Sequence, residues 1–446
     1  MNTIFQINYK ILDFFRKTDT LKLYKKIVES QYASRDELRA SQLNAFKNLL
    51  THAYENVPYY SSLFKKISFH PEDFKSMDDL KKLPTTSKDI VRNNFNDIKA
   101  AGFESYKPRI TQTGGTTGKP FLTYRDKLSH SYMWANIFRA WNAGGFEPGD
   151  RFINFAGGSL LPNTNLFKRN IYNFLQNAVL ITSYHLNDER LKNISYTVTK
   201  SGAEYIFGYS SSIYLLSQYC KSNSISLKGY IKAVITTSDM LYHKQREVIE
   251  EVFGAKVFDL YGCPEGGIFS FECSEHNGYH VNQESALVEV TDSGQNGLGK
   301  IISTPLFNYA FPLIRYETGD VGSYSSKQCG CGRHLDRIEE LGGRIRDFIV
   351  LRDGRYIHGA FFNHLNVLYN AEWIKQYQIV QTDVDNLTIK ISKLEEPAEE
   401  ALDLIKNEIH KGLLPDLKIN FDLGGVEYTG GGKFRLIISN VSNKWQ

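Results

Sequence analysis

The chain predicts an α/β fold: a large N-terminal part with mixed and parallel sheets covered by helices, and a small C-terminal α+β part. Three observations carry this. From about residue 120 to 260, short β-rich runs alternate with helical stretches. From about 280 to 330 the β segments become shorter and are separated by glycine turns. After Arg344 a smaller unit of strands and a helix follows. The expected division is 1–80 as a helical segment packed on a large domain, 81–343 as that domain, and 344–446 as a small C-terminal domain.

Residues 1–80 read as helices because Leu38, Leu43, Phe46, Leu49, Leu50 and Ala53 recur at helical spacing, and Pro58 breaks the pattern. At the start, Ile4, Ile7, Ile11, Phe14 and Phe15 form a stripe followed by Arg16 and Lys17. It is read as packing on the domain in preference to lying on a membrane. Phe152–Ala156, Tyr205–Tyr209, Ala233–Thr237 and Lys256–Leu260 are strand candidates, and Tyr242–Phe253 is an amphipathic helix that stops at Gly254. This rhythm predicts a largely parallel sheet, with ligands beyond the C-terminal ends of its strands. Ser238, Asp239, Tyr261 and Gly262 follow such strands directly. In the last part, Phe348–Leu351, Ile379–Val380 and Leu387–Ile391 read as strands, Glu395–Leu413 as a helix and Arg435–Ile438 as a late strand.

Composition excludes several classes. Of 446 residues, 41% are hydrophobic and 23% charged, as in an ordinary folded domain. Lysine plus arginine number 53 against 49 acids, a net +4, which argues against nucleic acid as a partner. No apolar run reaches the ~18 residues of a membrane span, and the N-terminus lacks the plan of a signal peptide. Five cysteines in so long a chain do not make a disulfide scaffold, and Cys220 reads as core. The chain is expected in the cytoplasm; its oligomeric state stays open, a homodimer being allowed.

The most informative segment is Thr111-Gln112-Thr113-Gly114-Gly115-Thr116-Thr117-Gly118-Lys119-Pro120. Glycine lets backbone N–H groups approach a polyphosphate, threonine hydroxyls add donors and lysine adds charge. It is not a Walker A loop, because Thr113 stands at the first glycine position and Pro120 at the Ser/Thr position. A second constellation is metal-like. Cys273 and His276 make a C-x2-H pair, and Cys329-Gly330-Cys331-Gly332 a C-x-C knuckle. Three thiolates and an imidazole complete a tetrahedral structural zinc set, with His334 and His280 as alternative fourth ligands.

The glycine loop resembles the phosphate loop of the adenylate-forming superfamily of acyl-CoA synthetases, peptide-synthetase adenylation domains and luciferases. Four further segments resemble that family's motifs in the same order: Tyr261-Gly262-Cys263-Pro264-Glu265, Tyr316-Glu317-Thr318-Gly319-Asp320, the hinge Gly343-Arg344-Ile345-Arg346-Asp347, and the C-terminal Gly432-Lys433-Phe434-Arg435. His52–Tyr60 is similar to an N-terminal segment of the phenylacetate–CoA ligase-like proteins, especially their CapK-like capsular-polysaccharide branch.

The resemblance implies that Lys433 is the catalytic lysine of adenylation, with Glu265 holding Mg2+ and Thr117 and Lys119 acting on the phosphates. It implies that Thr113, Gly114, Gly115, Thr116 and Gly118 wrap the β- and γ-phosphates of ATP, Gly114 standing where the family commonly has serine. Tyr261 would stack on adenine, Asp320 accept the ribose hydroxyls and Arg344 contact ribose or phosphate; Ser238, Asp239 and Gly262 join the nucleotide site. Arg346 departs from the Asp or Lys common at the hinge. The expected reaction is ATP-dependent activation of a small carboxylic acid as acyl-AMP. Transfer would then go to coenzyme A, an amine or a hydroxyl, such as a sugar's, in capsule or surface-polysaccharide synthesis. Trp134, Phe138, Phe155, Tyr209, Ser210, Ser211, Tyr214, Ser238 and Gly262 are candidates for the acid's pocket. The rivals are a non-catalytic nucleotide-binding assembly protein of a polysaccharide complex and a zinc-dependent binding module.

Overall fold

The computed structural model describes residues 3–113, 121–156, 166–183, 186–291, 297–325, 327–344, 348–353, 355–358, 360–363, 365–369, 371–398, 400–428 and 434–441. Helices α1 (Thr3–Arg16), α2 (Thr20–Ser30), α3 (Arg35–Asn56), α4 (Pro58–Lys66) and α5 (Lys88–Asn93) open the chain. A capping box starts α3: the Glu37 N–H donates to Ser34 Oγ at 3.3 Å and the Ser34 N–H to the Glu37 carboxylate at 2.9 Å. The apolar stripe of α1 departs from expectation. Tyr9 and Leu12 are the buried side chains, whereas Ile7, Ile11, Phe14 and Phe15 face outward; the side chain of Ile4 lies outside the described residues.

Strands β1 (Arg109–Thr113) and β2 (Phe121–Arg125) pair antiparallel, with Thr113 opposite Phe121. The glycine loop 114–120 joins them and lies outside the described residues. There follow α6 (Lys127–Asn142), β3 (Phe152–Ala156), α7 (Leu166–Leu175), β4 (Ala178–Thr182), α8 (Asp188–Lys200), β5 (Tyr205–Tyr209), α9 (Ser210–Ser222), β6 (Ala233–Thr237), α10 (His243–Phe253) and β7 (Lys256–Cys263). Next come β8 (Ile268–Phe271), β9 (Tyr279–His280), β10 (Ala286–Thr291), β11 (Gly299–Pro305), β12 (Tyr316–Ser325) and β13 (Arg337–Arg344). Eleven strands form one sheet in the order β10-β11-β12-β13-β9-β8-β7-β6-β5-β3-β4. The half from β4 to β7 is parallel and the rest antiparallel. The parallel strands are continuous apolar runs because helices cover both faces. Gly208 in β5 has no room for a Cβ, which would collide with the Phe155 carbonyl oxygen.

The remaining elements are β14 (Phe348–Val350), β15 (Tyr356–His358), α11 (Ala360–Asn363), α12 (Asn366–Tyr369), β16 (Ile374–Asp383), β17 (Asn386–Lys393), α13 (Ala401–Gly412), β18 (Lys418–Asp422) and β19 (Ile437–Ser439). Their four-stranded sheet runs β18-β17-β16-β19. Its core of Ile349, Phe362, Ile379, Ile389, Ile405 and Ile437 is its own, with Tyr242 from the other part packed against it. Helix α13 starts at Ala401, later than the sequence expectation of Glu395, because Pro397 interrupts the run. No helix among the described residues is long and apolar enough to cross a membrane.

Candidate functional site

The ends of β7 and β12 bring two predicted motifs together. The Tyr261 hydroxyl donates to Asp320 Oδ2 at 2.7 Å. Burial first, and the Asp320 carboxylate second, hold the phenol's pKa well above its ordinary value. Asp320 follows a Thr-Gly turn in which Gly319 has φ +84° and Thr318 Oγ1 donates to the Ile301 carbonyl at 2.8 Å. Arg344 stands opposite Asp320 in the β12–β13 register, its side chain lying outside the described residues. The turn after β7 carries Glu265 and is pinned to β11, Ser303 Oγ donating to the Gly266 carbonyl at 2.6 Å.

The stem of the glycine loop reaches the same place. The Phe121 ring stacks on Tyr316 at 5.9 Å between centroids, with the Lys88 ammonium 5.7 Å over its face. At the other end of β2, Arg125 donates to the Pro264 carbonyl at 3.0 Å. Burial pushes its pKa down to about 10, and Glu265 is the strongest of the charges opposing that. Arg125 is a residue the sequence reading missed; its signal is a charge directly after the β-rich Phe121–Tyr124 run. Of the loop itself, Thr113 is placed by its backbone at the end of β1, while Gly114, Gly115, Thr116, Thr117, Gly118 and Lys119 lie outside the described residues.

Ser238 and Asp239 cap the C-terminal end of β6. Ser238 is held at φ +74°, a conformation costly for a residue with a Cβ. Ser211 Oγ donates to Asp239 Oδ2 at 2.6 Å and Ser210 Oγ to the Asp239 carbonyl at 3.2 Å, so the first turn of α9 fastens this corner. Lys433 and the hinge residues 345–347 lie outside the described residues. The stem of the Lys433 loop does not: Tyr428 and Phe434 form a β-bridge. Burial pushes the Tyr428 phenol up to about 12, opposed by a bond to Gln376 and reinforced by the Asp239 carboxylate. The stem therefore stands within electrostatic reach of the β6 corner. Of the proposed pocket residues, Phe138, Phe155 and Tyr209 are fully buried core side chains.

Beneath the corner, Asp259 on β7 accepts from Thr236 Oγ1 at 2.6 Å and from the Tyr279 hydroxyl at 2.8 Å. Arg246 of α10 donates to both oxygens of Glu272 at 2.7 Å, and Glu272 also accepts from the Asp259 N–H at 2.9 Å. Sequence reading gave no hint of this network, whose members are far apart in the chain.

The cysteine cluster forms, with one correction. Donor atoms of Cys273, His280, Cys329 and Cys331 lie within 4.8 Å of one another. Cys273 Sγ and Cys329 Sγ are 3.6 Å apart, and Cys331 Sγ is 3.3 Å from His280 Nε2. The fourth member is His280, not His276. The chain turns sharply after Cys273, with His276 at φ +47°. That turn carries the His276 ring to Glu272 and Arg246, its Nδ1 lying 3.5 and 3.2 Å from them. His280, on β9 and fully buried, faces the thiols. Gly332, at φ +80°, makes the knuckle's turn. Three soft thiols and one imidazole in a closed set suit zinc held tetrahedrally.

Residues 349–440 match the family model of the CapK C-terminal domain. Protein CapK of Staphylococcus aureus is 24% identical over 457 residues, covering 99% of this chain and 97% of its own length. The phenylacetate-coenzyme A ligase of Escherichia coli strain K12 is 27% identical over 397 residues, covering 82% of this chain and 85% of the ligase. A crystal structure of 2-hydroxyisobutyryl-CoA ligase, in the postadenylation state with R3-HIB-AMP, shares the fold. Its TM-score is 0.74 at 18% identity, over 92% of each chain. With the motifs in order and two of them joined at Tyr261–Asp320, these likenesses support a CapK and phenylacetate–CoA ligase-like assignment: residues 349–440 carry the CapK C-terminal domain, the two relatives align over most of the chain, and the fold is that of an adenylate-forming ligase.

Proposed function

We propose that this protein activates a carboxylic acid with ATP as acyl-AMP and passes the acyl group to coenzyme A, an amine or a hydroxyl. The convergence of Tyr261, Asp320, Glu265 and Arg125 at the stem of the glycine loop carries this reading. A carboxylate oxygen attacks the α-phosphorus and pyrophosphate leaves, so the site must stabilise charge spread over phosphoryl oxygens. Asp320 accepts the ribose hydroxyls, with Tyr261 holding its carboxylate and lying against adenine. Thr113 to Lys119 wrap the β- and γ-phosphates. Lys433 brings a cation to the α-phosphate, supported by the position of its Tyr428–Phe434 stem near Asp239. Glu265 supplies the oxygen that Mg2+ prefers, and the ion would offset phosphate charge. Arg125 sits behind Glu265 and fixes the turn that presents it. Cys273, His280, Cys329 and Cys331 would hold a zinc ion of structural role. The CapK relative supports a place in capsule or surface-polysaccharide synthesis.

The test is ATP–pyrophosphate exchange across a panel of carboxylic acids, with Lys433→Ala as control. The expected result is exchange that depends on one acid and falls at least about a hundredfold in the variant, the usual scale for a transition-state cation. A chain that binds ATP yet gives no exchange with any acid, or a variant that exchanges normally, overturns the catalytic reading.

A further inference from the structure

The three most exposed large apolar side chains among the described residues are Phe14 at 78%, Phe15 at 74% and Phe174 at 71%. All three lie on α1 and α7, which pack against each other. Ile7, Ile11 and Ile171 are exposed beside them. On α1 the outward residues fall at i, i+4, i+7 and i+8, a continuous helical stripe. This is a built face and not a frayed end, because the opposite side of α1 is anchored. Tyr9 and Leu12 are buried, the Tyr9 ring packs edge-on against Phe138 at 5.2 Å, and its hydroxyl donates to the Gln176 carbonyl at 3.4 Å. Arg16 closes the joint, its guanidinium 4.3 Å from the Tyr172 ring centre on α7 and 5.4 Å from that of Trp134.

The charge on these two helices is one-sided. On α1 and the residue after it, Lys10 and Lys17 are exposed and Arg16 sits in the joint, against the single acid Asp13; the side chains of Lys168 and Arg169 on α7 lie outside the described residues. Asp13 is engaged by Thr18 Oγ1 and the Leu21 N–H, and the next acid, Asp19, pairs with Lys127 at 3.4 Å. Exposed Arg109 adds to the rim, donating to the Arg16 carbonyl at 3.0 Å. An aromatic stripe rimmed by cations is what an anionic bilayer surface binds, through burial of apolar area and attraction to lipid phosphates together. A second copy of the chain fits poorly, because a two-fold dimer through this face would set like charges against each other.

We propose that the α1–α7 face docks this protein on anionic lipid membranes. Because β1 starts at Arg109, tied to α1, and runs five residues to the glycine loop, docking would hold the nucleotide site about 15 Å from the anchoring helix.

Vesicle flotation of the full-length chain tests this, using phosphatidylcholine vesicles with about 30 mol% phosphatidylglycerol against phosphatidylcholine alone. The expected result is recovery with the anionic vesicles, reduced about tenfold by Phe14→Ser/Phe15→Ser/Phe174→Ser, by Lys10→Glu/Lys17→Glu, or by high salt. Unchanged thermal midpoints show that both variants fold. No flotation of the wild type, equal flotation of either variant, or a solution dimer that the phenylalanine variant turns into monomer would overturn the proposal.

Discussion

At the scale of single residues, Tyr261 and Asp320 act as a pair and should respond as one. The tyrosine hydroxyl donates across 2.7 Å to a carboxylate at the predicted ribose position. A hydrogen bond to a charged group is worth ~1.5–3 kcal/mol, so Tyr261→Phe should raise KM for ATP about tenfold or somewhat more with kcat little changed. Asp320→Ala, which removes the acceptor itself, should weaken ATP binding further; steady-state kinetics against ATP would show both. A variant of either residue with wild-type KM would detach the pair from the nucleotide. Asp259 makes a different prediction. Burial first, and Glu272 second, push its pKa up to about 7, against the bonds from Thr236 and Tyr279 and the charge of Arg246. The folded chain thus holds a proton that the unfolded chain has lost between about pH 4 and 7. That contribution is fully present below about pH 4 and gone above about pH 7. The wild type should gain stability relative to Asp259→Asn on going from pH 7.5 to 5, by roughly 2 kcal/mol given that Glu272 shares the effect. Melting midpoints of the two proteins that stay parallel across that range would rule it out.

At the scale of elements, close packing of β5 on β3 yields the plainest test. Gly208→Ala places a methyl against the Phe155 carbonyl, and strands in a sheet cannot separate locally, so the variant should lose ~2 kcal/mol or more, read as a fall in thermal midpoint. How much of the architecture was legible follows from the same packing. The four parallel strands expected from apolar runs all form, because strands covered on both faces carry their signal within five residues. The outward side of α1 is not legible in the sequence because that helix is apolar on both sides: periodicity reports a stripe without saying which stripe faces inward. Tyr9 and Leu12 proved to be the anchors. The exchange of His276 for His280 has a related reason. Spacing along the chain favoured the nearer histidine, whereas a tight turn at φ +47° sends it to an ion pair and a strand pairing delivers the farther one. Arg125 and the Asp259 network were invisible because their partners lie 139 and 20 residues away.

At the scale of the whole molecule, the cysteine cluster sits where three parts of the chain meet. It joins the β8–β9 turn to the segment before β13, and that segment reaches the N-terminal helices. The Arg333 side chain donates to Gln31 Oε1 at 2.8 Å and the His334 N–H to the Gln31 carbonyl at 3.0 Å. A bound zinc ion would therefore hold the junction of α2 and α3 on the sheet. Metal binding of this kind is folding free energy, since the four donors converge only in the folded chain. The expected content is about one zinc per chain by elemental analysis, as a closed four-ligand site takes a single ion. His280→Ala and Cys329→Ser should lose that zinc and lower the thermal midpoint, whereas His276→Ala should keep it. His276→Ala will still lose some stability, because Arg246 and Glu272 give up a neighbour, so metal content and not melting separates the two histidines. Zinc retained in His280→Ala, or lost in His276→Ala, would return the fourth ligand to the nearer histidine and require the turn after Cys273 to be rebuilt.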